Sequence, residues 1–163
     1  MKTLLIIRHG KSAWDNPSLK DHDRTLLPEG IRKTVKVSEF LVNKNVKPDL
    51  IASSSAHRAI ETAKIFASHL AYDEKKIMVE SEIYHQGTDY LLDLLYGLSD
   101  EIKTVMLVGH NPTFTQFANK FLIKPIDGLP TSGTVSISFD TDKWEDIHLA
   151  AKIVNFVIVP TML

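Results

Sequence analysis

The sequence predicts an α/β fold, a three-layer αβα sandwich with a mainly parallel central sheet and an antiparallel strand at its edge. Short runs rich in Ile, Val and Leu, typical of buried strands, lie at Thr3–Ile7, Leu50–Ala52 and Thr104–Val108. Helical patterns alternate with these runs, which favours a parallel sheet covered by helices on both faces. The tail differs, because Val135–Phe139 alternates apolar and polar residues. With a further strand at Lys152–Val159, it predicts an antiparallel pair that extends the sheet edge.

Four helices are predicted from apolar residues at helical spacing and from start signals. The first begins at Pro28, because the missing N–H of proline costs nothing at the first helical position. The second runs from about Ala56 to Leu70, and the third begins near Thr88. The fourth has Asn111 as its N-cap and Pro112 as its first residue. The apolar face predicted for the first helix consists of Ile31, Val35, Leu41 and Val42.

Length and composition predict a single globular domain over residues 1–163. The formal net charge is −1, so nothing favours binding to nucleic acid or to an anionic membrane. The chain has no cysteine, which excludes disulfides and zinc–thiolate sites. The first apolar run ends at Arg8 and is too short for a secretory signal or a membrane span, so we expect a cytoplasmic location. The oligomeric state stays open.

A histidine follows each of two predicted strands. His9 lies in Ile6-Ile7-Arg8-His9-Gly10, and His110 lies in Leu107-Val108-Gly109-His110-Asn111-Pro112. Ligands of an open α/β sheet bind outside the carboxyl ends of its strands, so both imidazoles are expected in one crevice. Arg8 and Arg58 also follow predicted strands and converge there. Such a cluster requires an anion, and phosphate is the natural candidate because a guanidinium matches its oxygens bidentately.

Three blocks in order carry a family resemblance: Arg8-His9-Gly10, Ser54-x-x-x-Arg58-Ala59-x-x-Thr62-Ala63 and Gly109-His110-Asn111-Pro112. With them the chain resembles the histidine phosphatase superfamily, which is phosphoglycerate mutase-like, in its branch of SixA-type phosphohistidine phosphatases. The resemblance runs from Lys2 to about Leu122. It implies a phosphatase in which His9 takes up the phosphoryl group while Arg8, Arg58 and His110 hold it.

The residues themselves support this chemistry. A neutral His9 has a free lone pair, and the positive charges of Arg8 and Arg58 lower its pKa. Such a histidine can attack phosphorus and split one hydrolysis into two steps. We expect a carbonyl such as that of Gly10 to hold the opposite ring nitrogen, and Gly10 to allow a close backbone approach or a left-handed turn. Beside bound phosphate the pKa of His110 would rise, so that it donates to the phosphoryl group. The residues predicted to contact the substrate are Arg8, Arg58, His110, Gly10, Ser54 and Arg24.

The proton donor for the leaving group stays open. Many family members carry an acid in an Arg-Leu-x-Glu motif, and the comparable stretch here is Ser81–Gly87. Matching Ile83 to the leucine of the motif puts His85 where the acid stands, so His85 is the first candidate and Glu82 the second. The alternative is a loop histidine that only shapes the pocket. A missing carboxylate favours phosphohistidine over alkyl phosphates, because a protonated imidazole leaves without a strong acid.

The roles of two further charged residues also stay open. Asp15 stands where mutase-type relatives carry an asparagine that donates to phosphate, and an ionised Asp15 would repel phosphate. Mutase activity is therefore not expected. Arg24 lies in a segment, residues 21–26, that resembles one common in the SixA-like branch. It either approaches the mouth of the site or pairs with Asp21 or Asp23.

A metal site is the rival explanation for clustered histidines. No two histidines stand at metal-binding spacing on one predicted helix, and the arginines would repel a cation, so we expect neither metal nor cofactor. The leading hypothesis is a metal-independent phosphatase that acts through phospho-His9 on a phosphate-bearing substrate, first of all a phosphohistidine protein. The alternatives are a broad-specificity or small-metabolite phosphomonoesterase and a phosphate-binding module without turnover.

Overall fold

The structure is a computed structural model that describes residues 1–14 and 18–163. Its strands are β1 (Lys2–Arg8), β2 (Leu50–Ser54), β3 (Met78–Glu80), β4 (Thr104–Gly109), β5 (Thr134–Phe139) and β6 (Lys152–Ile158). Its helices are α1 (Pro28–Asn43), α2 (His57–His69), α3 (Ser81–His85), α4 (Thr88–Tyr96) and α5 (Thr113–Asn119). The strands form one six-stranded sheet in the order β3-β2-β4-β1-β5-β6. The predicted α/β fold is therefore confirmed, with the short elements β3 and α3 in addition.

The sheet is mainly parallel, and its antiparallel strand lies inside it. β4 pairs parallel with both β1 and β2, whereas β5 pairs antiparallel with β1 and with β6. The expected antiparallel pair is confirmed: β5 and β6 extend the sheet beyond β1. β6 forms the edge, pairs antiparallel with β5 and runs in the same direction as β1. The polar side chains of β5 can be buried because side chains of the two adjacent strands form hydrogen bonds with them. Ser138 bonds Thr3 of β1 at 2.9 Å, and Asn155 of β6 donates to both Ser136 and Ser138.

Helices cover both faces of the central strands, as the three-layer prediction requires. Successive side chains of a strand point to opposite faces, so one strand supplies both layers of the core. One layer contains Leu4, Ile6, Leu91, Phe114 and Phe117. The other contains Leu5, Ile7, Val37, Leu41 and Phe66. No helix formed by the described residues is both long and apolar enough to span a bilayer.

Helix α1 begins at Pro28 as predicted but buries a different face. Ile31 and Val42 are 41% and 44% exposed, so the expected apolar face is wrong at these positions. The buried side chains are those of Thr34, Val37, Ser38 and Leu41. Two hydroxyls are tolerated there because Thr34 donates to the Gly30 carbonyl and Ser38 to the Thr34 carbonyl.

Helix α5 begins one residue later than predicted. Pro112 is its N-cap and Thr113 its first residue, so the assignment of Asn111 as N-cap is wrong. Asn111 nevertheless satisfies one free N–H of the first turn, because its Oδ1 accepts from the Thr115 backbone at 3.1 Å. The last residue of β4 must be a glycine, since a Cβ at Gly109 would lie 2.3 Å from the Phe114 ring.

Candidate active site

His9 lies at the carboxyl end of β1, beside the end of β4. The strand register pairs Arg8 with Gly109, and the backbone N–H of His9 donates to the Gly109 carbonyl at 3.0 Å. This bond continues the pairing of the two strands past their last residues and so fixes the backbone of His9. The residue is buried, with 7% of its surface exposed.

One hydrogen bond determines which nitrogen of His9 is available. Nδ1 lies 2.7 Å from the Gly10 carbonyl oxygen, as the sequence predicts. A carbonyl can only accept, so Nδ1 carries the proton and Nε2 keeps its lone pair. Nε2 faces the Arg58 guanidinium, whose Nε lies 3.4 Å away.

His110 follows β4, and its ring lies beside that of His9, with the two centroids 5.1 Å apart. Its Nδ1 lies 3.4 Å from Nη2 of Arg58 and its Nε2 lies 2.7 Å from Oγ of Ser54. Because a guanidinium only donates, Nδ1 accepts and Nε2–H donates to Ser54. The Ser54 hydroxyl therefore orients the His110 ring, and its predicted contact with substrate stays a prediction.

Arg58 joins the two imidazoles. It lies in the first turn of α2, after β2, and is 5% exposed. Its guanidinium contacts Nε2 of His9 and Nδ1 of His110. Two histidines and an arginine from three separate strand ends thus meet at one place, as the strand-end argument predicts.

The loop after His9 is held against helices α1 and α2. The Gly10 N–H donates to Thr62 Oγ1 at 2.9 Å, and the same hydroxyl donates to the Arg58 carbonyl at 2.7 Å. A Cβ at Gly10 would lie 2.9 Å from Thr34 Oγ1, so the predicted close approach exists but is made to α1. The alternative of a left-handed turn at Gly10 is wrong, because its φ is not positive.

Arg24 both pairs with Asp21 and lies at the mouth of the site, the two roles that the sequence left open. Its Nη1 pairs with Asp21 at 2.9 Å, and its Nη2 donates to Ser12 at 2.6 Å. Its guanidinium lies 3.1 Å from the centre of the Trp14 ring. It also lines the same cavity as His9 and so stands at the mouth of the site.

Arg8 completes a set of three arginines around the imidazoles. Its Nη1 donates to the Leu129 carbonyl at 3.1 Å, and its Nε is buried without a hydrogen-bond partner among the described residues. A cavity of about 220 Å³ opens here, lined by Arg8, His9, Lys11, Ser12, Trp14 and Arg24 among others. A larger cavity of about 490 Å³ lies where β1 and β4 begin, at the opposite end of the sheet from these histidines.

Two residues that the sequence did not single out as site residues complete the cluster. Asp21 accepts from Nη2 of Arg58 at 3.0 Å, and its backbone carbonyl accepts from Nη1 at 2.6 Å. The Tyr84 hydroxyl donates to the same carboxylate at 2.5 Å, and its ring lies edge-on to His110 with centroids 5.3 Å apart. Asp21 comes from a turn and Tyr84 from a five-residue helix. Neither element gives a periodic signal, although the resemblance of residues 21–26 to a segment of the SixA-like branch could have drawn attention to Asp21.

The two candidate proton donors, His85 and Glu82, belong to the same short helix as Tyr84, α3. His85 is exposed, and its ring packs edge-on against Tyr84 with centroids 4.9 Å apart. Glu82 accepts a hydrogen bond from Gln86 at 2.9 Å. It is the Tyr84 ring that packs on His110. The donor role of His85 or Glu82 stays a prediction. The third residue of open role, Asp15, lies outside the described residues.

Both imidazoles are held neutral by their surroundings. Burial, and then the positive charges of Arg58, Arg8 and Arg24, lower the pKa of His9 to about 4, although its bond to Gly10 opposes this. Burial, followed by His9 and Arg58, lowers the pKa of His110 to about 3. The predicted rise for His110 depends on the charge of a bound phosphate and stays a prediction. Within the described ranges, no group of three His, Cys, Asp or Glu is arranged to hold a metal ion.

Comparison with known proteins points to one family. A model of the histidine phosphatase superfamily (branch 1) matches residues 4–83, a segment that contains His9 and Arg58 and ends before His110. An uncharacterised chloroplastic protein of Arabidopsis thaliana is 29% identical over 153 residues, covering 89% of this chain and 70% of the relative.

Solved structures share the whole fold. A structure from Agrobacterium tumefaciens, assigned to the phosphohistidine phosphatase SixA, superposes with a TM-score of 0.82 at 26% identity, covering 98% of both chains. The protein histidine phosphatase SixA complexed with tungstate superposes with a TM-score of 0.83 at 20% identity, again over 98% of both chains. At that identity, the second likeness concerns the fold alone.

Proposed function

Because the chain belongs to the histidine phosphatase superfamily, we propose that this phosphatase acts on phosphohistidine in proteins, through a phosphoryl group carried on His9 and without a metal ion. The orientation of His9 carries the proposal. Its Nδ1 is tied to the Gly10 carbonyl, so Nε2 presents its lone pair beside Arg58 and His110. A buried imidazole that is fixed in this way is a prepared nucleophile.

The charges around His9 suit a phosphoryl group. Catalysis of phosphoryl transfer depends mainly on positioning and on fixed positive charge around the transferred group. Arg8, Arg24 and Arg58 surround the two neutral imidazoles, and Asp21 offsets part of their charge. An anion bound there would raise the pKa of His110, so that its Nδ1–H donates to a phosphoryl oxygen.

The reaction runs in two steps. In the first, Nε2 of His9 forms a bond to phosphorus while the bond from phosphorus to the leaving nitrogen breaks, and that nitrogen keeps the electron pair. In the second, water forms a bond to the phosphorus of phospho-His9, the bond from phosphorus to Nε2 breaks and leaves its electron pair on Nε2, and phosphate departs with both protons of the water. His110 and Arg58 hold the phosphoryl oxygens in both steps. Because His85 packs on Tyr84 and Glu82 accepts from Gln86, a leaving group that is already protonated suits this site better than an alkoxide, which needs a proton donor.

Rates on two substrates test the proposed function. The protein is offered a peptide that contains phosphohistidine and, separately, p-nitrophenyl phosphate, with and without EDTA. We expect faster turnover of the peptide, no loss in EDTA, and a loss of at least about a thousandfold in His9→Ala. His69→Ala is the control, because His69 is exposed in α2 and lies outside the site. Faster turnover of the ester would favour the phosphomonoesterase alternative, and a loss of activity in EDTA would overturn the metal-independent mechanism.

A further inference from the structure

We propose that Asp21 determines the leaving-group specificity of this site: its carboxylate faces the leaving group and favours a protonated nitrogen over an oxygen. The inference rests on the proposed function and narrows the substrate class to phosphoramidates whose leaving group is protonated, and therefore cationic, while it is still bound to phosphorus. In this proposal the Asp21 carboxylate does not act as a general acid.

The position of the carboxylate is the first argument. One Arg58 guanidinium contacts Nε2 of His9, Nδ1 of His110 and Oδ2 of Asp21. Asp21 is thus one guanidinium away from the nucleophile and from the proposed phosphate ligand. Its side chain keeps 44% of its surface exposed, so a group that enters the cleft from solvent can reach it.

The charge of Asp21 is the second argument. Although partial burial acts against it, hydrogen bonds from Tyr84, Arg24 and Arg58 hold the pKa of this carboxyl well below its usual range. Asp21 is therefore ionised at any pH at which the protein works. A carboxylate that stays ionised cannot give a proton to a leaving oxygen, but it can accept a hydrogen bond from the protonated ring of a bound substrate.

The Asp21 carboxylate has opposite effects on the departure of an oxygen and on that of a protonated imidazole. When a phosphate ester is cleaved, the departing oxygen gains negative charge, which the Asp21 carboxylate opposes. In a protonated phosphohistidine, the ring nitrogen remote from phosphorus carries a proton that can be donated to Asp21. This contact keeps the substrate ring protonated, so that the nitrogen bound to phosphorus departs as part of a neutral imidazole.

The rings around Asp21 fit a planar leaving group. Tyr84 donates to the carboxylate and lies 5.2 Å from the His22 ring and 4.9 Å from the His85 ring, both edge-on. Aromatic and imidazole rings that border a carboxylate give an imidazole both a surface to pack on and an acceptor for its N–H.

The test compares the two substrates in Asp21→Asn, which removes the charge but keeps an oxygen that can accept from Arg58. We measure kcat/KM for the phosphohistidine peptide and for p-nitrophenyl phosphate, and inhibition by inorganic phosphate. The expected result is that the ratio of the two kcat/KM values falls at least about tenfold, while phosphate binds as tightly or more tightly. Asp23→Asn is the control, because Asp23 lies 3.5 Å from His22 in the same turn; its ratio should not change.

Other outcomes would overturn the proposal. An equal fall of both rates, together with weaker inhibition by phosphate, would mean that Asp21 only positions Arg58. An unchanged ratio in a folded variant, judged by circular dichroism, would also contradict it. Should Asp21→Asn fail to fold, Asp21→Ser, which also removes the charge, provides the same ratio measurement. Failure of the proposed function differs from all of these, since the unmodified protein would then be inactive on the phosphohistidine peptide.

Discussion

Two buried imidazoles give the protein's stability a dependence on pH. The pKa of His9 is lowered from 6.5 to about 4 and that of His110 to about 3. At a pH between the pKa of each histidine in the folded protein and its pKa in the unfolded chain, the unfolded chain binds protons that the folded protein does not, so acid favours unfolding. We expect the free energy of unfolding to fall by about 1–2 kcal/mol for each imidazole between pH 7 and pH 5.

Urea unfolding at pH 7 and pH 5, in a buffer without phosphate, measures this loss. His9→Gln removes one of the two groups and should lose less stability over the same range than the unmodified protein. His69→Gln changes an exposed histidine of α2 and should behave as the unmodified protein does. Equal losses in all three proteins would show that His9 is not held neutral in the folded state.

Thr62 offers a second prediction at the residue scale. Its hydroxyl accepts from the Gly10 N–H and donates to the Arg58 carbonyl, and the residue is fully buried. Thr62→Val keeps the shape but leaves the Gly10 N–H without a partner, so we expect a loss of about 1–3 kcal/mol in unfolding free energy and slower turnover. Denaturant titration checks the stability, with Thr161→Val at an exposed position as the control. An unchanged midpoint would contradict this role.

The sequence revealed those site residues that follow strands. His9, Arg58 and His110 each stand directly after an apolar run or in the next turn, and topology alone brings such positions together. Asp21 and Tyr84 were missed because their proximity depends on how a loop and a short helix fold over the site. No spacing in the sequence encodes that contact.

At the scale of elements, the loop after β1 depends on how closely α1 approaches it. A Cβ at Gly30 would lie 2.3 Å from the Lys11 carbonyl oxygen and 2.9 Å from its nitrogen. Both are backbone atoms, so Gly30→Ala must displace the loop, and we expect a loss of about 1–3 kcal/mol in unfolding free energy with reduced turnover.

Gly97→Ala is the matched control for Gly30→Ala. Gly97 is the C-cap of α4, and a Cβ there would meet the Asp93 carbonyl at an ordinary 3.5 Å. We expect its unfolding free energy to change by no more than about 0.5 kcal/mol in thermal or urea unfolding. Equal effects of the two substitutions would contradict a close contact between α1 and the loop.

Helix α1 also shows why a pattern of apolar residues can mislead. The apolar pattern assigned Ile31 and Val42 to the buried face of the helix. It did not include Thr34 and Ser38, which are buried in the structure. Each of these hydroxyls bonds a carbonyl one turn earlier in its own helix, which removes the usual cost of burial. Hydropathy assigns such residues to the solvent face, although the packing of α1 against α2 decides otherwise.

The whole molecule is a sheet whose most buried strands hold the site. β1 and β4 lie in its interior and carry His9 and His110 at their ends, whereas β3 and β6 lie at its edges. We expect amide hydrogens of β1 and β4 to exchange most slowly, because only global unfolding exposes them. Native-state hydrogen exchange measures this order. Exchange in β6 as slow as in β4 would contradict it.

Strand positions were predictable across the molecule, but strand order was only partly so. Buried parallel strands carry continuous apolar runs that stand out in the sequence. The insertion of β5 between β1 and β6 depends on pairing across the sheet, through residues such as Thr3 and Ser138 that are far apart in sequence. Alternation of apolar and polar residues predicts a strand that is exposed on one face. The sequence of β5 alternates in this way, but the strand is buried on both faces.

The central claim is that Nε2 of His9 receives the phosphoryl group. Rapid mixing with a phosphohistidine peptide, quenching in alkaline denaturant and peptide mass spectrometry would locate that group directly. We expect it on His9, stable to base and lost in acid, and absent from His9→Ala. Phosphate found instead on a hydroxyl such as that of Ser54, or turnover by His9→Ala at the normal rate, would contradict the account.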